Sequence, residues 1–191
     1  MPSLLVTFLT GQSDPGRNAL SPEQAAFLAS LALAPAEMLA LNFPWDAATL
    51  PHREVSLARA SVANASQFLR APRASFEAKH RGVLDPLLAR ADHVVFLAGS
   101  CGLELLRGLS PPPAVWPRLH VIAYGPVARA RPHFDCHLVG GRRDPVSRVF
   151  FRETDTVVDA DHMGYLRTPA MRDAALAFIA RVRGLAGSEA R

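Results

Sequence analysis

Three polar residues of this chain, Ser100, Asp144 and His162, each come shortly after a predicted β-strand. A serine hydroxyl becomes an effective nucleophile when a histidine takes its proton, and an aspartate can hold that histidine in the required tautomer. In an open parallel sheet, groups that act together collect beyond the carboxyl ends of the strands. The pattern therefore predicts one site in which Ser100 is the nucleophile, His162 the general base and Asp144 its acidic partner.

The serine lies in a short turn between a predicted strand and a predicted helix. Residues 94–97 form an apolar run that is typical of a strand buried on both faces, and leucines at helical spacing follow the turn. Small residues, Ala98 and Gly102, stand two positions before and two positions after Ser100. A strained turn that lifts a serine oxygen above a sheet needs small residues at both places, because larger side chains would clash. We therefore expect a nucleophile elbow centred on Ser100.

Other residues near these positions offer alternative assignments. Cys101 is intrinsically the better nucleophile, but an elbow centred on it would place Leu103 where a small residue is required. Asp159 and Asp161 lie close to the histidine in sequence, and Asp161 adjoins it, so its side chain is expected to point elsewhere. Sterics therefore favour the serine as the nucleophile.

The elements that position these residues alternate between strand and helix along most of the chain. This alternation predicts a three-layer α/β/α fold with a mostly parallel sheet of about six strands. No repeat or linker interrupts the pattern, so residues 1–191 are expected to form a single domain. The predicted strands are Leu4 to Leu9, Glu37 to Phe43, the run before Ser100, Leu119 to Tyr124, Cys136 to Val139 ending at Gly140-Gly141, and Thr156 to Ala160.

Capping residues and prolines predict where the helices begin and end. Ser21-Pro22-Glu23-Gln24 carries a cap, a proline at the first helical position and an early acidic residue. A helix over Phe76 to Leu88 is expected to kink or restart at Asp85-Pro86, and the last helix is expected over Arg172 to Val182. Glu104, one turn beyond the serine, either faces the site or occupies an exposed helix position.

The order and placement of these residues resemble the α/β-hydrolase superfamily over nearly the whole chain. Ala98-Gly99-Ser100-Cys101-Gly102 is similar to the elbow of that family, with alanine in place of the first glycine. Asp144-Pro145-Val146-Ser147 is similar to its acid loop, and His162-Met163-Gly164-Tyr165-Leu166 to its histidine loop. Compared with that family, the chain is expected to lack two leading antiparallel strands and a helical lid, and in this expected layout it resembles the small serine hydrolases of the retinoblastoma-binding type.

The resemblance implies an oxyanion hole and a reaction. The backbone N–H of Cys101 is expected to be one donor, and that of Gln12, in the loop after the first strand, the second. Gly11 would let the backbone approach closely there. The implied activity is that of a serine hydrolase of the carboxylesterase or thioesterase type, which cleaves a small ester or thioester through an acyl-enzyme.

Two other hypotheses about the function stay open. The alanine at the elbow, and a second oxyanion donor that no motif in the sequence marks, leave room for a catalytically silent binding protein of the same fold. A flavodoxin-like nucleotide binder is a weaker alternative, because the chain has neither a G-x-G-x-x-G motif nor a P-loop lysine.

Composition narrows the partners and the compartment. The net charge is +4, but the arginines are scattered and aromatic residues make up only 7% of the chain, so we expect no nucleic-acid partner. Cys101 and Cys136 are expected to be free thiols in a reducing compartment. No apolar run approaches the length of a membrane span, so we expect a soluble, cytoplasmic protein. Neither a metal nor a cofactor is expected; the partner is a small acyl substrate, and the oligomeric state stays open.

Overall fold

Six parallel strands form the centre of the computed structural model, which describes residues 2–14, 17–45 and 52–189. The strands are β1 (Leu4–Leu9), β2 (Met38–Phe43), β3 (His93–Gly99), β4 (Leu119–Tyr124), β5 (Asp135–Gly141) and β6 (Thr156–Val158). Their order across the sheet is β2-β1-β3-β4-β5-β6, and every neighbouring pair is parallel. Helices cover both faces, so the predicted three-layer α/β/α fold is confirmed.

The helices of the described ranges divide between the two faces of the sheet. They are α1 (Pro22–Ser30), α2 (Leu57–Arg70), α3 (Ala74–His80), α4 (Leu84–Leu88), α5 (Gly102–Gly108), α6 (Pro145–Phe150) and α7 (Pro169–Glu189). Helices α2 to α5 pack on one face, and α1 and α7 pack on the other. None of the helices in this part of the chain combines the length and the apolar character that a membrane crossing requires.

The central strands β1, β3 and β4 are buried along their whole length. Successive side chains of a strand point to opposite faces, so each of these strands contributes to two cores. In β1, Leu5 and Leu9 belong to the core beneath α2 to α5, whereas Leu4, Val6 and Phe8 belong to the core beneath α1 and α7. The continuous apolar runs in the sequence arise because both faces of the sheet are covered.

Local capping chemistry begins α1 where the sequence predicts it. The Ser21 hydroxyl accepts the N–H of Gln24 at 3.2 Å, and the Gln24 side chain accepts the N–H of Ser21 at 2.9 Å. Pro22 occupies the first helical position, where a backbone N–H would have no acceptor within the helix, so the missing N–H of proline costs no hydrogen bond. This reciprocal pair is a capping box, and it depends only on residues adjacent in sequence.

The helix restarts beside Asp85-Pro86, as the sequence predicts, with α4 beginning one residue before that pair. The chain forms α3, a 3-10 turn over Arg81–Val83 and then α4, so the break precedes the proline. Pro86 lies in the first turn of α4, where a missing N–H costs no intrahelical hydrogen bond. The proline therefore fits the start of the second helix and does not interrupt a longer one.

Strand β5 ends at Gly140-Gly141, as the sequence predicts, and it includes both glycines. Both pair with β6. A Cβ on Gly140 would lie 2.7 Å from Thr154 Oγ1, and a Cβ on Gly141 would overlap the carbonyl oxygen of Ala160. Because these two positions carry no side chain, the residues on either side of the edge strand β6 can lie close to β5. A glycine that allows such a contact looks the same in the sequence as a glycine in a turn. The last strand is shorter than predicted and the last helix, α7, is longer.

Buried polar side chains join three strands at the amino end of the sheet, opposite to Ser100. His93 Nδ1 lies 3.0 Å from His120 Nε2, and His120 Nδ1 lies 2.6 Å from Asp135 Oδ2. Arg181 donates to the same carboxylate oxygen from α7 at 2.7 Å. Burial by itself raises the pKa of Asp135, but the hydrogen bonds from His120 and Arg181 outweigh it and hold the pKa below its ordinary value.

We predict that Asp135→Asn lowers the free energy of unfolding at neutral pH by about 1–3 kcal/mol, because two donors lose an anionic acceptor. A carboxyl group whose pKa is lowered by folding stabilises the fold above its unfolded pKa, and this contribution is lost as the pH falls through the folded pKa. Urea unfolding from pH 7 down to about pH 2 should therefore show a difference between wild type and variant that shrinks in acid.

Asp92→Asn, which changes an exposed carboxylate just before β3, is the matched control and should have little effect at any pH. A destabilisation by Asp135→Asn that is the same at all pH values would contradict the prediction.

Candidate active site

Ser100 occupies a strained turn directly after β3. Its φ angle is 51°, in the left-handed region that serine rarely adopts, and α5 begins two residues later. A Cβ on Gly102 would overlap the carbonyl oxygen of Leu9, and a Cβ on Gly99 would lie 2.5 Å from the Tyr124 hydroxyl oxygen. The close approach of β1 thus explains why the position two after the serine carries no side chain.

Alanine stands at the elbow position where the resemblance expects glycine. Ala98 is the penultimate residue of β3, completely buried, and it pairs with Leu9 of β1 and with Ala123 of β4. Because the neighbour on β4 has only a methyl side chain, the methyl group of Ala98 fits within the packed sheet. This departure therefore leaves the turn at Ser100 sterically intact.

The structure brings Ser100, His162 and Asp144 together at the carboxyl ends of three strands. Ser100 Oγ lies 3.2 Å from His162 Nε2, and His162 Nδ1 lies 3.0 Å from Asp144 Oδ2. Because an ionised carboxylate can only accept, Nδ1 carries the hydrogen of that bond and the neutral ring leaves Nε2 free to accept from the serine. The serine is thus placed to lose its proton to a histidine that an aspartate orients.

Asp144 is fully buried, and all of its hydrogen bonds come from protein groups within the described chain. Its Oδ1 caps α6 by accepting the N–H groups of Val146 at 3.0 Å and Ser147 at 3.1 Å. Its Oδ2 accepts the hydroxyl of Tyr165 at 2.8 Å in addition to His162. Burial raises the pKa of Asp144, but hydrogen bonds from His162, Ser147 and Tyr165 outweigh it, so the pKa stays below its ordinary value. The carboxylate is therefore an anion at neutral pH.

The two backbone groups predicted to form an oxyanion hole have different surroundings. Cys101 is the residue directly before α5, at the helix end where N–H groups lack acceptors within the helix. The N–H of Gln12 already donates to Gln67 Oε1 at 2.7 Å, and Gln67 Nε2 donates back to the carbonyl of Gln12 at 2.7 Å. Gln12 can serve as the second donor only after Gln67 moves, so its assignment stays a prediction.

Cys101 is buried beside Gly11, beneath the serine turn. A Cβ on Gly11 would lie 2.9 Å from Cys101 Sγ and would overlap the side chain of Asn64, so the glycine does allow a close approach. Burial raises the pKa of the Cys101 thiol to about 12. The thiol is therefore neutral at physiological pH, and a neutral thiol is a poor nucleophile. Cys136 is likewise buried and free.

The interpretation of Glu104 as an exposed helix residue is wrong. Glu104 is buried and accepts hydrogen bonds from Arg107 at 2.8 Å and from the backbone N–H and guanidinium of Arg129. The Arg129 guanidinium lies 4.3 Å from the centre of the Phe68 ring, whose edge contacts Phe150 at 5.5 Å between centroids. These contacts join α2, the segment after β4 and α6 into one wall, which sequence reasoning missed because its members are far apart in the chain.

Exposed apolar side chains lie close in sequence to Asp144 and His162. Val146, Val149 and Phe150 are exposed on α6, which Asp144 caps, and Met163 follows His162 with 62% of its surface exposed. We call these four residues the apolar rim. Apolar surface beside a polar constellation is typical of a site that binds a substrate with an apolar part.

Comparison with models of known protein families and with curated proteins finds no match for this chain. Within the described residues, no group of three or more His, Cys, Asp or Glu side chains is arranged to hold a metal ion.

We predict that backbone strain at Ser100 reverses the usual order of alanine and glycine substitutions. Because glycine adopts a positive φ without steric cost, the free energy of unfolding of Ser100→Gly should be about 1 kcal/mol higher than that of Ser100→Ala. At Ser66, within α2, glycine should instead be less stable than alanine by about 1 kcal/mol. Urea unfolding of the four variants measures both differences, and the same order at the two positions would contradict the prediction.

Proposed function

We propose that this protein is a serine hydrolase that cleaves a small ester or thioester through an acyl-enzyme. The observation that carries the proposal is the pair of contacts at His162, 3.2 Å from Nε2 to Ser100 Oγ and 3.0 Å from Nδ1 to Asp144 Oδ2. The positive φ of Ser100 supports it, since strained backbone conformations concentrate at functional sites.

The proposed reaction has two halves. In the first, Ser100 Oγ attacks the acyl carbon while His162 Nε2 takes the hydroxyl proton, and the same proton passes to the alcohol or thiol as its bond to the acyl carbon breaks. In the second, His162 takes a proton from water, the hydroxide attacks the ester carbon, and the proton returns to Ser100 as the acid leaves. Asp144 stabilises the imidazolium in both halves without itself being protonated.

The apolar rim favours a substrate with an apolar acyl group. Phe150 reaches from α6 to Phe68 on α2, so both helices contribute aromatic surface. Trp45 has a structural contact instead, because its indole N–H donates to the carbonyl of Thr10 at 2.9 Å and its ring packs against His80. We therefore propose that α2 and α6, and not Trp45, contact the acyl chain.

A second candidate function is a binding protein of this fold without catalytic activity. The contact between the Gln12 N–H and Gln67 Oε1 favours it, because a hydrolase needs two donors aimed at the oxyanion and this one is engaged. The two candidates differ in whether Ser100 reacts.

The decisive experiment is covalent labelling with a fluorophosphonate probe. The wild-type protein should be labelled on Ser100, because the histidine activates that hydroxyl. Ser100→Ala should abolish labelling and reduce turnover of short acyl esters by about 10³-fold or more. Ser110→Ala is the matched control, since Ser110 also has a positive φ (48°) at the end of a helix but is exposed and has no histidine contact within the described chain; it should label normally.

A folded wild-type protein that neither takes the label nor hydrolyses short acyl esters would overturn the hydrolase proposal and leave the binding protein. Labelling that persists in Ser100→Ala would place the reactive group elsewhere.

The proposed acyl contact gives a separate prediction. Phe150→Ala should lower kcat/KM for an octanoyl ester by about fivefold relative to an acetyl ester, which corresponds to roughly 1 kcal/mol of lost apolar contact. Leu185→Ala, on α7 across the sheet, is the control and should leave the ratio unchanged. An unchanged ratio in Phe150→Ala would exclude α6 from the acyl site.

A further inference from the structure

Tyr165 makes a contact with Asp144 that the proposed mechanism does not require. Its hydroxyl lies 2.8 Å from Asp144 Oδ2, the same oxygen that His162 Nδ1 approaches at 3.0 Å. Only 1% of the Tyr165 surface is exposed, so water does not compete for this hydrogen bond. One carboxylate oxygen is therefore shared between a tyrosine and the histidine.

Close packing fixes the place of the Tyr165 ring. A Cβ on Gly125, which has a φ of 53°, would lie 2.8 Å from Tyr165 Cε2, and a Cβ on Gly141 would lie 2.8 Å from the Tyr165 hydroxyl oxygen. The ring also contacts that of Tyr124 at 5.9 Å between centroids. The glycines after β4 and at the end of β5 leave the space that the ring fills, so its hydroxyl has a defined position beside Asp144.

The hydroxyl donates in this contact because the ionised carboxylate has no hydrogen to give. Burial raises the pKa of Tyr165, and the hydrogen bond to Asp144 and its negative charge raise it further, against an opposing hydrogen bond with the Ser147 side chain. The phenol therefore keeps its proton across the physiological range. The donor is permanent. It stabilises negative charge on Oδ2 and thereby weakens the attraction of that oxygen for a proton on the histidine.

We propose that Tyr165 is a positioning residue of the triad, which holds the Asp144 carboxylate with Oδ2 toward His162 Nδ1 and limits how strongly Asp144 favours the imidazolium. This inference rests on the proposed hydrolase function for its catalytic consequence, although its effect on His162 does not depend on turnover.

The other charged groups near the histidine have partners of their own. The Asp161 carboxylate accepts the N–H of Met163 at 3.1 Å, and Asp159 pairs with Arg143 at 3.0 Å. On the 3-10 turn that carries Tyr165, Arg167 pairs with Glu23 of α1 at 3.1 Å. These contacts do not involve the Tyr165 hydroxyl, which donates to Asp144, so a change in the titration of His162 in Tyr165→Phe would report the contact with Asp144.

The test compares Tyr165→Phe with Tyr124→Phe, the only other tyrosine of the chain. Each variant removes one buried hydroxyl and keeps the ring. Of these two hydroxyls, within the described chain, that of Tyr165 is the one hydrogen-bonded to Asp144. Tyr165→Phe should lower kcat by about tenfold with KM nearly unchanged, because misalignment of Asp144 affects the transition state more than substrate binding. The acid limb of its pH–rate profile should move to higher pH, because Asp144 without its second donor favours the imidazolium more strongly.

A double-mutant cycle separates positioning from general packing. If Tyr165 acts through Asp144, the loss caused by Tyr165→Phe should vanish in an Asp144→Asn background, measured as the rate of fluorophosphonate labelling. The same fold loss in both backgrounds would overturn the proposal, and so would a kcat and a pH profile like those of Tyr124→Phe.

A readout without turnover keeps this inference distinct from the hydrolase proposal. The ring of His162 can be titrated by NMR in folded wild type, Tyr165→Phe and Tyr124→Phe, with its signals assigned by His162→Gln. A midpoint that moves to higher pH only in Tyr165→Phe supports the inference even if the wild type takes no label, in which case the hydrolase function alone fails. An unmoved midpoint with normal wild-type labelling overturns the inference and leaves the hydrolase.

Discussion

The carboxylate of Asp144 has no contact with solvent and is nevertheless charged, so the protein itself must supply its hydrogen bonds. Two backbone N–H groups of α6 satisfy one oxygen, while Tyr165 and His162 share the other. This single requirement ties the loop after β5, the start of α6 and the histidine loop after β6 to one another. Because a buried charge is costly when any partner is lost, these loops are held in one arrangement, and the histidine is oriented as a result.

On the other side of His162, steric constraints fix the turn that carries Ser100. Gly102 carries no side chain because the carbonyl oxygen of Leu9 on β1 lies close to it, and two residues earlier Ser100 has a positive φ. Strain of this kind persists only where packing determines it, and here β3 is completely buried between β1 and β4. The rigid sheet thus fixes the serine oxygen, and the hydrogen-bonded carboxylate fixes the histidine that faces it.

The two ends of the sheet use similar residues for different purposes. His93, His120 and Asp135 form a hydrogen-bonded chain at the amino end, where Arg181 completes the partners of the carboxylate. That chain lies within the strands and links them, whereas Ser100, Asp144 and His162 lie in loops beyond the strands, with Asp144 buried and Ser100 and His162 partly exposed. Position relative to the strand ends distinguishes a structural cluster from a candidate site.

Local sequence patterns are enough to predict the strands approximately, the capping box of α1, the three-layer class and the candidate site residues, because burial on two faces, capping and small-residue turns each involve residues close together in the chain. The burial of Glu104 and the engagement of Gln12 by Gln67 depend on residues that are distant in the chain. Likewise, no local pattern indicates that Tyr165 donates to Asp144. These features arise only when the chain folds, because close approach and the sharing of a buried carboxylate are set by how the loops meet across the sheet.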